Sequence, residues 1–169
     1  MRIKQRFDTK KAIEAILYIA EHNPDTYDLM KILYFADKEH LAKYGRFICG
    51  GSYIAMRLGP VPSGVYDIIK YARGDGIFLI SEPIADAFEV RGYNIIPLRV
   101  ANVELLSESD LECLGEAIKQ YGHLSLGELK ALSHDAAYQE ADVNDVIPIE
   151  AIVKTLPDSE LLLDYLQNA

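Results

Sequence analysis

Tryptophan is absent from this chain, and cysteine occurs only as Cys49 and Cys113. Two cysteines without CxxC spacing argue against a disulfide framework or a thiolate metal site and read as reduced, half-buried thiols. Long apolar runs are missing too. The longest stretch without Asp, Glu, Lys or Arg is Phe47–Met56, ten residues, where a membrane-spanning helix needs about 20. No secretory-signal pattern surrounds it, so a cytoplasmic location and no membrane partner are expected. Internal repeats, low-complexity tracts and long linkers are also absent. Half of the 169 residues are hydrophobic and a quarter are charged, so one folded domain over residues 1–169 is expected, large enough to build its core without metal or cross-links.

Positive charge is scarce and unevenly placed. The net charge is −9. Residues 1–75 carry twelve Lys or Arg against nine Asp or Glu, and residues 76–169 carry five against seventeen, so +3 and −12 make up the total. So acidic a chain is a poor non-specific nucleic-acid binder, because phosphate neutralisation needs a cationic surface. The local exception is Arg2, Lys4, Arg6, Lys10 and Lys11, which reads either as a solvated, frayed terminus or as a contact to phosphate or an acidic partner. A DNA-binding autoregulator acting through this segment is one alternative, although no helix-turn-helix is evident. The acidic second half suits a basic protein partner, whose encounter it would accelerate.

Recognisable catalytic signatures are absent: GxSxG, a Walker loop, HExxH and the Rossmann glycine pattern do not occur. Asp37 and His40, three apart on a predicted helix, could aim an oxygen and a nitrogen at one metal ion. With His134 and Asp135 they define the other alternative, a metal-dependent hydrolase. The simpler account keeps His40 in the core, bonded to Asp37 or to a backbone carbonyl, and His134 at a helix end, capping free carbonyls. Cys49 precedes Gly50-Gly51, which read as turn residues. The chain is therefore expected to be no enzyme, with no catalytic residue, cofactor or metal assigned.

Apolar spacing predicts the elements. Asp8 or Thr9 caps a helix bearing Ile13, Ile16, Leu17 and Ala20 and ended by Asn23-Pro24. Asp25 or Thr26 caps a second, running to Tyr44 and closed by Gly45. The second helix has two adjacent stripes, Leu29, Leu33, Ala36 and His40 beside Tyr27, Met30, Tyr34, Asp37 and Leu41. Two stripes predict a central helix. Tyr53–Leu58 reads as extended, Gly59-Pro60-Val61-Pro62 as a break in regular structure, and Ser63 as the cap of a helix ending at Arg73-Gly74. Ile77–Ile80 reads as a strand, and Phe88–Arg91 with Asn94–Ile96 as a hairpin through Gly92-Tyr93 of type II′. Capping boxes at Ser107/Asp110 and Ser125/Glu128 start helices at 108–121 and 126–133. Shorter helices are predicted near 136–141, 149–155 and 158–167, the last burying Leu161, Leu162, Tyr165 and Leu166 on one side. The class is α+β, predominantly helical, with a small antiparallel sheet in the middle of the chain.

Residues 52–66 are the most distinctive segment. A glycine–proline turn, two further breakers and flanking aromatics make a rigid bend that loses little order when a partner docks. Tyr, Met and Arg are interface-enriched types. The candidate partner-binding residues are Tyr53, Met56, Arg57, Pro60, Val61 and Tyr66. The competing account is a tight strand-to-helix connection with Tyr53, Met56 and Tyr66 packed inward.

The order and spacing of Leu29–Asp37, His40-Leu41, Tyr44-Gly45-Arg46, Tyr53–Arg57, Gly59–Ser63 and Tyr66-Asp67 resemble the Panacea domain. This is the SocA-like antitoxin domain, once labelled phage-associated GepA-type. Leu129–Ala141, with Ser133-His134 and Tyr138, looks like that family's C-terminal helical motif, without the tryptophan that members often carry near Tyr138. The resemblance spans about residues 8–141, with the helices at 149–167 packed on it. It implies a bacterial or prophage antitoxin that neutralises a protein toxin, encoded by an adjacent gene, through direct contact. In at least one branch the antitoxin is also a proteolytic adaptor to a AAA+ protease. Known toxins of the family include alarmone-synthetase-like enzymes and membrane-active peptides.

Overall fold

In a computed structural model of the protein, residues 3–75 and 83–168 are described. The strand expected at Ile77–Ile80 and the Arg2 end of the basic cluster lie outside them. Asp8 caps α1 (Thr9–Ala20), its carboxylate accepting from the Lys11 amide. Asp25 caps α2 (Thr26–Tyr44) through the Tyr27 and Asp28 amides at 2.9 and 3.0 Å, and Gly45 ends it in the left-handed region at φ 76°. α2 is the central helix that its two stripes predict. Leu29, Ile32, Leu33 and Ala36 enter one core cluster with α1, while Tyr34 and Leu41 enter a second.

The segment Gly59–Pro62 departs from expectation. It is not irregular but forms strand β2, paired antiparallel with β1 (Tyr53–Met56), so that Ile54 faces Val61 and Met56 faces Gly59. The Ser63 amide donates to Ser52 O at 3.0 Å. Ladder bonds recur at every second pair, so they fall on Val61 and Gly59, and the missing N–H groups of Pro60 and Pro62 face away from β1 on an edge strand. Alternate prolines therefore fit an edge that regular-structure rules would forbid. α3 (Ser63–Arg73) follows directly. Its N-cap is Pro62 rather than Ser63, whose hydroxyl donates to Ser52 O instead.

β3 (Phe88–Arg91) and β4 (Asn94–Pro97) form a separate two-stranded sheet. Its turn has Gly92 at φ 62° and no positive φ at Tyr93, as a type II′ turn requires. A short 3-10 turn at Val103–Leu105 leads to α4 (Glu108–Tyr121) and α5 (Leu126–Ser133), both started by complete capping boxes. After α6 (Ala136–Glu140), β5 (Val146–Ile147) pairs with the free edge of β1. The antiparallel strands thus divide into two sheets, one ordered β2-β1-β5 and completed by a strand from late in the chain. Two residues between a polar loop and Pro148 carry no periodicity that would announce β5.

α7 (Ile149–Val153) buries four of its residues beside β5. α8 (Ser159–Asn168) corrects its expected packing: none of its residues is fully buried, and Leu161 and Tyr165 are exposed while Leu162, Leu163 and Leu166 rest on the second cluster. Both cysteines are wholly buried rather than half-buried. The N-terminal segment is tied down rather than frayed. Gly51 N donates to Gln5 O at 3.0 Å, Phe47 N to Gln5 Oε1 at 2.7 Å and Asp8 N to Cys49 O at 2.9 Å. Ile3, Gln5 and Phe7 face inward, and Lys4 and Arg6 outward.

Candidate functional site

The segments that are distinctive in sequence meet at the turn of the β1–β2 hairpin. Two backbone carbonyls on either side of Arg57 are held by side chains from different helices. Lys31 Nζ, from α2, donates to Leu58 O at 2.5 Å, and Tyr138 Oη, from α6, donates to Met56 O at 2.7 Å. Arg57 between them is exposed. Gly59 lets the hairpin sit this deep. At φ 126° it is a conformation for glycine, and a Cβ there would lie 2.9 Å from Lys31 Nζ and 3.0 Å from Ser133 Oγ.

Lys31 is the buried residue of this site that the sequence pattern did not single out. It is 1% exposed and bonds a neutral carbonyl, not a carboxylate. Burial pulls its amine down to about 8, opposed by the Asp28 charge. A lysine between Met30 and Ile32 on a helix with two apolar stripes was the available signal, since a cation there has no solvent to face. Beside it, the His134 ring stacks on Tyr138 with centroids 4.2 Å apart, and its Nε2 is buried without a hydrogen-bond partner. Burial keeps this imidazole below its ordinary value.

Beneath the hairpin, Tyr53 is buried between Tyr34 and Phe47, with ring centroids at 5.0 and 5.4 Å. Its hydroxyl donates to Asp37 Oδ2 at 2.5 Å, and Ile48 N donates to Asp37 Oδ1 at 2.7 Å. Burial pushes the Asp37 carboxyl up to about 7 against these two donors. Tyr34 in turn donates to Asp135 Oδ2 at 2.7 Å, where Lys38 also bonds at 2.8 Å.

The side chains offered for a metal site are therefore separately engaged. Asp37 serves Tyr53 and Ile48. His40 uses Nδ1 on the Arg46 carbonyl at 2.8 Å and Nε2 on Ser109 Oγ at 2.9 Å, a core histidine with a carbonyl partner. His134 stacks on Tyr138, and Asp135 caps α6 through the Tyr138 amide. Among the described residues no three His, Cys, Asp or Glu side chains are placed to hold a metal ion. Cys49 is buried with its thiol pushed well above the ordinary value, the reverse of an activated nucleophile. Of the basic N-terminal group, Lys4, Arg6 and Lys10 are exposed, and Lys11 pairs with Asp110 at 2.8 Å.

The six candidate contact residues separate by exposure. Arg57 is exposed, and Met56 and Tyr66 are half-buried. Tyr53, Pro60 and Val61 are buried, so in this fold they can shape the hairpin but offer no surface of their own. The inward-packing account holds for Tyr53 because its ring completes the core beside α2. Among the described residues here, the Cys49 thiol is buried and the Asp37 and Asp135 carboxyls are already bonded. What the site has is a charged tip on a hairpin fastened at both flanking carbonyls. No helix among the described residues is long and apolar enough to cross a membrane. Residues 29–138 match the family model described as antitoxin SocA-like, Panacea domain. No curated protein and no solved structure matches the chain.

Proposed function

The chain belongs to the SocA-like antitoxin family defined by the Panacea domain, and from that premise we propose that it neutralises a cognate protein toxin, encoded by an adjacent gene, by direct binding. The observation that carries this reading is the coincidence of the matched region with the fastened hairpin: residues 29–138 contain Lys31, Arg57, Gly59 and Tyr138 together. An exposed guanidinium on a backbone clamped by Lys31 and Tyr138 is preorganised, so little conformational entropy is lost when it docks. Arg57 is the proposed anchor, with Met56 and Tyr66 as flanking contact and Tyr53, Pro60 and Val61 as the support beneath. Inhibition is by occlusion, across an interface of standard size, roughly 1,600 Å² in total.

Co-expression with the product of the neighbouring reading frame tests this. Growth is restored by the wild type, and the two proteins co-purify. Arg57→Ala weakens binding by about tenfold, about 1.4 kcal/mol, with an unchanged melting temperature, and Tyr66→Ala weakens it less. Unchanged affinity in both folded variants removes the hairpin from the interface. Failure of the wild type to protect against any neighbouring gene product overturns the reading.

A further inference from the structure

The end of α2 and the length of α8 enclose a groove of about 800 Å³ whose apolar walls the fold leaves uncovered. Leu161 is 74% exposed, Tyr165 60% and Tyr44 44%. Leu161 and Tyr165 are four apart and share a helix face. Tyr165 is seated, not trailing. Its ring crosses Gly45, where a Cβ would come within 2.6 Å of the ring. Ala42, Leu156, Pro157 and Leu162 complete the apolar lining.

The charge around this groove selects its occupant. Both of its lysines are already paired, Lys38 with Asp135 at 2.8 Å and Lys43 with Glu39 at 2.9 Å and Glu112 at 3.2 Å. Asp158 in the lining, and Glu160 and Asp164 outside it on α8, pair with no cation among the described residues, and α8 itself carries no basic residue. Glu160 and Asp164 form a row one residue around the helix from Leu161 and Tyr165. A second copy docking through α8 about a twofold axis would set these carboxylates against each other. A helix with leucine-like residues on one face and Lys or Arg beside them satisfies both the apolar wall and the acidic row. We infer that the α2–α8 groove receives a basic amphipathic helix of the partner polypeptide, as a contact additional to the Arg57 hairpin. This rests on the reading of the protein as a toxin binder.

Two arms separate the groove from that reading. In the first, the purified full chain is titrated by amide NMR with a synthetic amphipathic leucine–lysine helix and with its leucine–glutamate counterpart. Shifts centred on residues 42–45 and 156–165, with affinity about tenfold or more higher for the lysine peptide, are expected. Equal affinities, or shifts elsewhere, overturn the inference. In the second, Leu161→Ser and Asp164→Lys are each tested against the cognate toxin, with melting temperature as the fold control. Each weakens binding by about tenfold, about 1.4 kcal/mol. Unchanged toxin affinity in both, while Arg57→Ala still impairs neutralisation, overturns the groove and leaves the antitoxin reading standing. A wild-type dimer that Leu161→Ser dissociates also overturns it, because the groove would then belong to a second copy.

Discussion

The Tyr53 hydroxyl donates to Asp37 Oδ2 at 2.5 Å inside the core, a side-chain bond between the hairpin and the central helix. Asp37 is fully enclosed, so burial raises its carboxyl from an ordinary 3.8 to about 7. The native state therefore holds this proton more tightly than the unfolded chain does. Its contribution to stability is complete below about pH 4 and is lost as pH rises to about 7, with a flat dependence beyond. The predicted result is that Asp37→Asn, which keeps an acceptor for Ile48 N, flattens this decline. Urea unfolding at pH 5 and pH 8 measures it: the wild-type difference exceeds that of the variant by a few kcal/mol, and equal differences would refute the assignment.

Gly59 faces the Lys31 amine and the Ser133 hydroxyl with no room for a methyl group. Gly59→Ala combines an unfavourable φ with a clash against a buried lysine. A loss of about 2–3 kcal/mol is expected, read from the urea midpoint. Gly74→Ala is the comparison. It also has positive φ, but nothing lies within 4 Å of its Cβ position, so it reports the backbone penalty alone and costs less.

Asp110 is a buried hub. It pairs with Lys11 at 2.8 Å and Arg46 at 3.0 Å, lies 3.3 Å from His40 Nε2, and accepts from the Ser107 amide at 2.9 Å. Burial would raise its carboxyl, but the donors from Lys11 and Ser107 outweigh it and hold it below the ordinary value. Its stabilisation is thus present above pH 4 and is lost as pH falls further. Asp110→Ala removes the capping box and the shared partner of Lys11 and Arg46, both of which still reach solvent, at a cost of about 2 kcal/mol. Amide exchange at Gly51 and Phe47 accelerates as well if Lys11 anchors the N-terminal segment. Unaltered exchange would show the segment to be held by its backbone bonds alone.

Burial raises the Cys113 thiol to about 11 and that of Cys49 well above its ordinary value. Neither thiol is accessible. In the native protein at pH 8 a thiol-disulfide reagent such as DTNB is predicted to modify neither, and in urea both. Rapid native modification of either would contradict the packing.

Helix boundaries were legible because caps are local. Asp8, Asp25, Ser107 and Ser125 each satisfy amide donors within three residues, and Gly45 and Gly74 supply the left-handed stops. The two stripes of α2 likewise declared a helix buried on both sides. The resemblance in its motifs was carried by residues of the same kind, close in sequence. Tertiary structure alone decided the rest, because it depends on partners far apart in the chain. Lys31 meets Leu58, Tyr138 meets Met56, and Asp37 meets Tyr53 only after α2, the hairpin and α6 have packed. Pro60 and Pro62 became strand residues only once the register turned their missing N–H groups outward. Leu161 and Tyr165 read as core from periodicity. Whether an apolar face is covered depends on what lies opposite it, which a helix's own sequence does not encode.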